Sequence, residues 1–201
     1  MGKKKKGSPE YGRCLAEAMM HHASSKTYSG KFLRPHAPAI KDIMDRLDCK
    51  SVLDYGCGKG VQYQWVSHGT DDASIPGGMT IEQYWGRTVT KYDPGWPPFA
   101  KEPAGPFDLV ICTHVLGSIP IQDLDWVFGR LVTLGTKAVY IAEKIGPVGK
   151  KVFTDTTNLP RWTRKQWEAF VRHRVHNGCE VTLCTREKRD DGQVIMTREI
   201  V

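Results

Sequence analysis

Three short segments carry residues whose types and spacing suit ligand chemistry. In Asp54-Tyr55-Gly56-Cys57-Gly58-Lys59-Gly60, glycine at every second position lets the backbone turn sharply and approach a bound group closely. A helix expected over Val61–Val66 would add free N–H groups and a positive dipole end, which suit a carboxylate. Asp93, closing the run Thr88–Tyr92, can accept hydrogen bonds from the vicinal hydroxyls of a ribose. Thr113-His114-Val115 follows the apolar run Phe107–Cys112, and His114 is a candidate general base because an unperturbed imidazole titrates near neutrality. A packing or hydrogen-bonding histidine is the alternative there. Glu143 and Lys144 end another apolar run and either face an acceptor or form a surface ion pair.

Hydrophobic periodicity supplies the elements that must position these residues. Helices are expected over Glu10–His22, with Leu15, Ala18, Met19 and His22 on one face, and over Ala37–Leu47, with Ile40, Ile43, Met44 and Leu47. Strands are expected at Ser51–Tyr55, Thr88–Tyr92, Phe107–Cys112 and Ala138–Ala142. Further helices fall over Ile121–Leu134 and Thr163–His176, with one turn around Ile81–Trp85. Two β-rich runs, Glu180–Glu187 and Gln193–Ile200, flank the turn signal Asp190-Asp191-Gly192. Alternating strands and helices imply an α/β fold, a Rossmann-like doubly wound and mostly parallel sheet with an antiparallel C-terminal hairpin and an N-terminal helical extension. In such a sheet the three segments meet at the carboxyl ends of the strands. The expected organisation is a basic tail over 1–12, a helical extension or lid over 13–48 and a core over 49–201.

Val52-Leu53-Asp54-Tyr55-Gly56-Cys57-Gly58-Lys59-Gly60 resembles the first motif of class I S-adenosylmethionine-dependent methyltransferases. Tyr92-Asp93-Pro94 resembles their second-strand acidic motif, and Phe107–Leu116 their fourth-strand motif. The terminal hairpin resembles the reversed last strand of that family, and the chain is similar to small phage and bacterial members. The resemblance implies S-adenosyl-L-methionine as cofactor. Asp54, Tyr55, Gly56, Cys57 and Gly58 would hold its amino acid end, Asp93 the ribose, and Pro94 or Trp96 would border the adenine. Thr113 and His114 would lie near the methionine part and the transferable methyl, with His114 and Glu143 as catalytic candidates. Motifs of the base-methylating DNA enzymes, Asn/Asp-Pro-Pro-Tyr and the Pro-Cys nucleophile, are absent. The expected acceptor is an N or O atom on a small-molecule or nucleotide-like substrate. A dinucleotide site fits less well, because Val61 stands where its third glycine belongs and Asp93 lies further along than its acid.

Length and composition bound the remaining possibilities. The chain has 201 residues and a net charge of +7, of which Lys3, Lys4, Lys5 and Lys6 supply four. That tail either binds nucleic acid or is a solvated end. A catalytically inactive module binding nucleic acid or protein is the alternative to an enzyme, using the tail with Arg161, Arg164, Lys165, Arg172 and Arg174. No apolar run reaches membrane-helix length and no secretory h-region is present, so a cytoplasmic protein is expected. The six cysteines have neither CxxC pairs nor close metal-ligand spacing, so reduced thiols and no metal are expected. Tyr28 and His36 sit on the extension that could close as a lid, Tyr84 and Trp85 could line an acceptor pocket or anchor a loop, and Trp162 and Trp167 could stack a planar substrate or belong to the core. Oligomeric state is not legible.

Overall fold

A computed structural model describes residues 7–23, 31–69, 75–145, 162–175, 178–188 and 194–200. Six strands form one sheet: β1 (Val52–Tyr55), β2 (Val89–Tyr92), β3 (Phe107–Thr113), β4 (Gly135–Lys144), β5 (Glu180–Lys188) and β6 (Val194–Ile200). Their spatial order is β2-β1-β3-β4-β5-β6. The first five pair in parallel, and β6 runs antiparallel to β5 at the edge. Going from β1 to β2 the chain moves one way across the sheet, and from β3 onward it moves the other. The carboxyl ends of β1 and β3 therefore flank a topological switch point, where an open α/β sheet leaves a crevice.

Both faces of the sheet are covered, which is why its central strands read as continuous apolar runs. On one face α4 (Ile121–Leu134) buries Leu124, Val127, Phe128 and Leu131 against Leu53, Val110, Val139 and Ile141. On the other, α2 (Ala37–Arg46) and the short α3 (Ile81–Trp85) bury Ile40, Met44, Ile81 and Trp85 against Val52, Leu109, Ile111 and Tyr140. Trp85 is core, and its indole N–H donates to the carbonyl of Ala37 at 2.9 Å. α5 (Arg164–Arg172) returns to the first face, where the core Trp167 packs edge-on with Phe170 and with the partly buried Trp162. Tyr28 and Lys3–Lys6 lie outside the described residues.

The structure differs from the sequence expectations in two places. Val61–Val66 is not a helix: only Val61–Tyr63 turns, as a single 3-10 turn, and Val66 forms a bridge with Thr80. Gln62 and Tyr63 are drawn inward to the buried carboxylate of Asp54, while Val61 and Val66 stay exposed. No helix dipole therefore stands behind the glycine loop. α1 (Pro9–His22) begins inside the stretch assigned to the tail, capped by Ser8, and Met19 points outward at 47% exposure. The Pro- and Gly-rich stretch Gly95–Pro106 forms no strand, as its composition implies, and Pro97–Phe99 makes a 3-10 turn.

Candidate functional site

The carboxyl ends of β1 and β2 are tied together by one carboxylate. The Gly56 and Cys57 amides donate to the carbonyl of Tyr92 at 2.7 and 3.1 Å. Asp93 then accepts from the amide of Gly58 through Oδ2 and from the amide of Gly95 through Oδ1, both at 2.8 Å. His22 of α1 approaches the same Oδ1 at 3.5 Å and stacks on Trp96. Two backbone bonds leave lone pairs on Asp93, since a carboxylate offers about four acceptor positions.

Beside this clasp lies a cavity of about 100 Å³, lined by Tyr55, Gly56, Asp93, Pro94 and Gly95 on the sheet side. His114 and Val115 close it from the β3 loop, and α1 roofs it with Tyr11, Cys14, Leu15, Ala18 and His22. Gly56 has φ +85°, and a β-carbon there would stand 2.2 Å from Cγ2 of Val115, so only glycine lets the two loops meet. α1 is held in place by its own cap. Ser8 donates from its amide and hydroxyl to Asp123 of α4 at 2.8 and 2.5 Å, and Tyr11 packs edge-on against Trp126.

His114 is the unusual residue of the β3 loop. It holds a left-handed backbone at φ +57°, which is uncommon for a non-glycine residue. Both ring nitrogens are buried without a hydrogen-bond partner among the described residues. Burial first, then His36, Lys144 and Arg186, pushes its pKa down to about 3. The imidazole is thus neutral, a hydrogen-bond acceptor and a weak base, and not the near-neutral base read from the sequence. Glu143 does not form the surface ion pair that the sequence offered as one alternative. It is buried and accepts from the amides of Val115, Leu116 and Gly117 at 3.0, 2.7 and 3.2 Å, so it holds the strained loop. Burial pushes its pKa up to about 7 against the opposing pull of those three amides.

The other expected ligands are spread around this centre. Asp54 lies under the glycine loop, accepts from Tyr63 at 2.8 Å, and keeps Oδ1 buried without a partner among the described residues. Desolvation raises its pKa to about 7. Tyr55 packs edge-on with Tyr92 and reaches the cavity, whereas the buried thiol of Cys57, pushed up by desolvation, does not line it. Pro94 borders the cavity; Trp96 and Thr113 do not. Sequence reasoning expected a helical extension or lid over 13–48 but not which side chains of α1 line the cavity, and it missed the Asp93 clasp, because a helical apolar face does not say what it covers. No group of His, Cys, Asp and Glu placed to hold a metal occurs among the described residues. No helix among them is long and apolar enough to cross a membrane.

Compared with known proteins, residues 31–175 match a family model described as a methyltransferase domain. No curated protein and no solved structure matches the chain.

Proposed function

Because the chain belongs to the methyltransferase domain family, in its Rossmann-like class I form, we propose that it moves the methyl group of S-adenosylmethionine to an N or O acceptor on a small-molecule or nucleotide-like substrate. The observation that carries this reading is the Asp93 clasp at the switch point, a carboxylate with spare lone pairs at the mouth of a glycine-built cleft. A module that only bound macromolecules would have no use for it.

The residues present fit the cofactor. Asp93 offers its remaining lone pairs to the ribose, Pro94 and Tyr55 supply apolar surface for the base, and the buried Asp54 supports the glycine loop from beneath without lining the cavity. Bound there, the cofactor supplies an already activated methyl group, so the protein's task is alignment and exclusion of water. His114, neutral and held by the Glu143-anchored loop, accepts a hydrogen bond from the acceptor and orients its lone pair. Glu143 is a positioning residue. The cavity is well below the roughly 300–1,000 Å³ of small-molecule sites, so α1 acts as a lid that opens for entry and closes over the cleft.

Calorimetric titration with S-adenosylmethionine and S-adenosylhomocysteine tests the reading. Saturable binding of both is expected, weakened at least about tenfold in Asp93→Ala, the loss of one charge-assisted contact. Absence of binding by folded wild-type protein would hand the reading to the inactive binding module.

A further inference from the structure

His22, at the C-terminal end of α1, bears directly on the carboxylate assigned to the ribose. Its ring is buried at 2% exposure, with Nε2 3.5 Å from Oδ1 of Asp93. The imidazole lies on Trp96, with ring centroids 5.6 Å apart and 30° between the planes. Gly95 backs the contact. A β-carbon there would stand 3.2 Å from Oδ1 of Asp93 and 3.3 Å from Cδ2 and Nε2 of His22, so the three residues are packed at contact distance.

Acceptor positions on Asp93 are limited, since each carboxylate oxygen offers about two lone pairs. Oδ2 holds the Gly58 amide and keeps one position; Oδ1 holds the Gly95 amide and turns its other position to His22. A ribose diol that binds both oxygens needs one position on each. It therefore engages Oδ1 only after the imidazole withdraws. The two contacts are unequal: a hydroxyl sits about 2.5–2.7 Å from a carboxylate oxygen, whereas the histidine stands at 3.5 Å. A diol thus displaces the ring, and the ring returns when the diol leaves.

The end of α1 that carries His22 is also the end free to move. Leu15, Ala18 and His22 follow at steps of three and four and share the stripe that lines the cavity. Ser8 on Asp123 and Tyr11 on Trp126 seat the other end, about three turns away. With α1 in this position the cavity measures about 100 Å³, too little for a nucleoside joined to an amino acid.

We propose that His22 is a latch that takes the ribose position on Asp93 in the empty protein, so that α1 and the cofactor compete for one carboxylate. The proposal rests on the methyltransferase reading above and adds what regulates that site, an intramolecular competitor carried by the lid. Apparent cofactor affinity is lowered by the fraction of protein that is latched. Release of S-adenosylhomocysteine is assisted by the same contact, because His22 claims Oδ1 as the diol leaves it.

Calorimetry and stopped flow with S-adenosylhomocysteine on the full-length protein test the latch, with urea midpoints to verify folding. His22→Ala should bind at least about fivefold more tightly and associate faster, the effect of removing one contact on Oδ1. His22→Leu, which keeps apolar bulk at the buried position, should shift the same way and serves if the alanine variant unfolds. Met20→Ala, on the outer face of the same helix at 68% exposure, should bind within about twofold of wild type. In an Asp93→Ala background the gain from His22→Ala should fall below about twofold, because no carboxylate remains to be contested. Weaker binding by both His22 variants overturns the latch and makes the histidine a cofactor contact. An undiminished gain in the Asp93→Ala background overturns it too, since ring volume and not the carboxylate would then be at issue. Absence of binding by wild type and both variants removes the cofactor reading and the latch with it. Equal binding by all three removes the latch alone.

Discussion

At Gly56 the β1 loop and the β3 loop come so close that a single added carbon has nowhere to go. The positive φ alone costs an L-residue roughly 1–2 kcal/mol, and displacement of Val115 adds to it. Gly56→Ala is therefore expected to lower the urea midpoint by an amount equal to at least about 1 kcal/mol and to abolish S-adenosylhomocysteine binding. Unchanged stability would mean that the two loops are not in contact. His114 illustrates the opposite limit of residue-level reasoning. Its type and place beside an apolar strand mark it as functional, but its protonation is set by burial and by His36, Lys144 and Arg186, which reach it only in the folded chain.

Among the elements, α1 has the most separable role. It touches the rest of the chain through the Ser8–Asp123 bonds, the Tyr11–Trp126 contact and the apolar side chains that roof the cavity. Its periodic face was legible, yet Met19 turned out exposed while Leu15, Ala18 and His22 line the cleft. Asp123→Ala removes the two Ser8–Asp123 bonds at its N-terminus and leaves those of Gln122 to Ser8 and Glu10. Amide exchange in α1 is expected to accelerate at least about tenfold with little change in the global urea midpoint, the pattern of a local opening. Association of S-adenosylhomocysteine, followed by stopped flow, should quicken as the roof loosens. Unaltered α1 exchange would show that the helix is held without the Asp123 bonds and would remove the lid assignment. The stretch Val61–Val66 fails as a helix for a related reason: the hydroxyl of Tyr63 satisfies Asp54, and a regular helix there would carry it away.

For the molecule as a whole, buried titratable groups oppose one another. His36 and His114 stand at about 4 and about 3 in the folded state against an ordinary 6.5. Between those values the unfolded chain binds more protons, so their contribution to stability falls as pH falls. Asp54 and Glu143 stand at about 7 against 3.8 and 4.5, so there the folded chain binds more protons and stability falls as pH rises. Two against two, the unfolding free energy is expected to be nearly level from pH 4.5 to 6.5. Glu143→Gln should tilt it upward with pH by about 1.4 kcal/mol per pH unit, and His114→Asn downward by a similar slope. Urea unfolding at half-unit pH steps measures both, and parallel profiles for the two variants would show that these groups do not titrate as placed.

The α/β class, the positions of β1 to β4, the helices α2 and α4 and the glycine–Asp93 signature follow from sequence because each rests on local physics. Apolar runs of strand length, a helical repeat and turn-forming glycines mean the same thing wherever they occur. Tertiary structure alone decided which groups face one another across the sheet. Asp93 reaching back to Gly58, Glu143 holding the amides of residues 115–117, and Lys144 meeting Arg186 over Phe32 all depend on strand order and register. These partners lie tens of residues apart, and a pattern repeating every two or 3.6 positions carries no information about what packs against it.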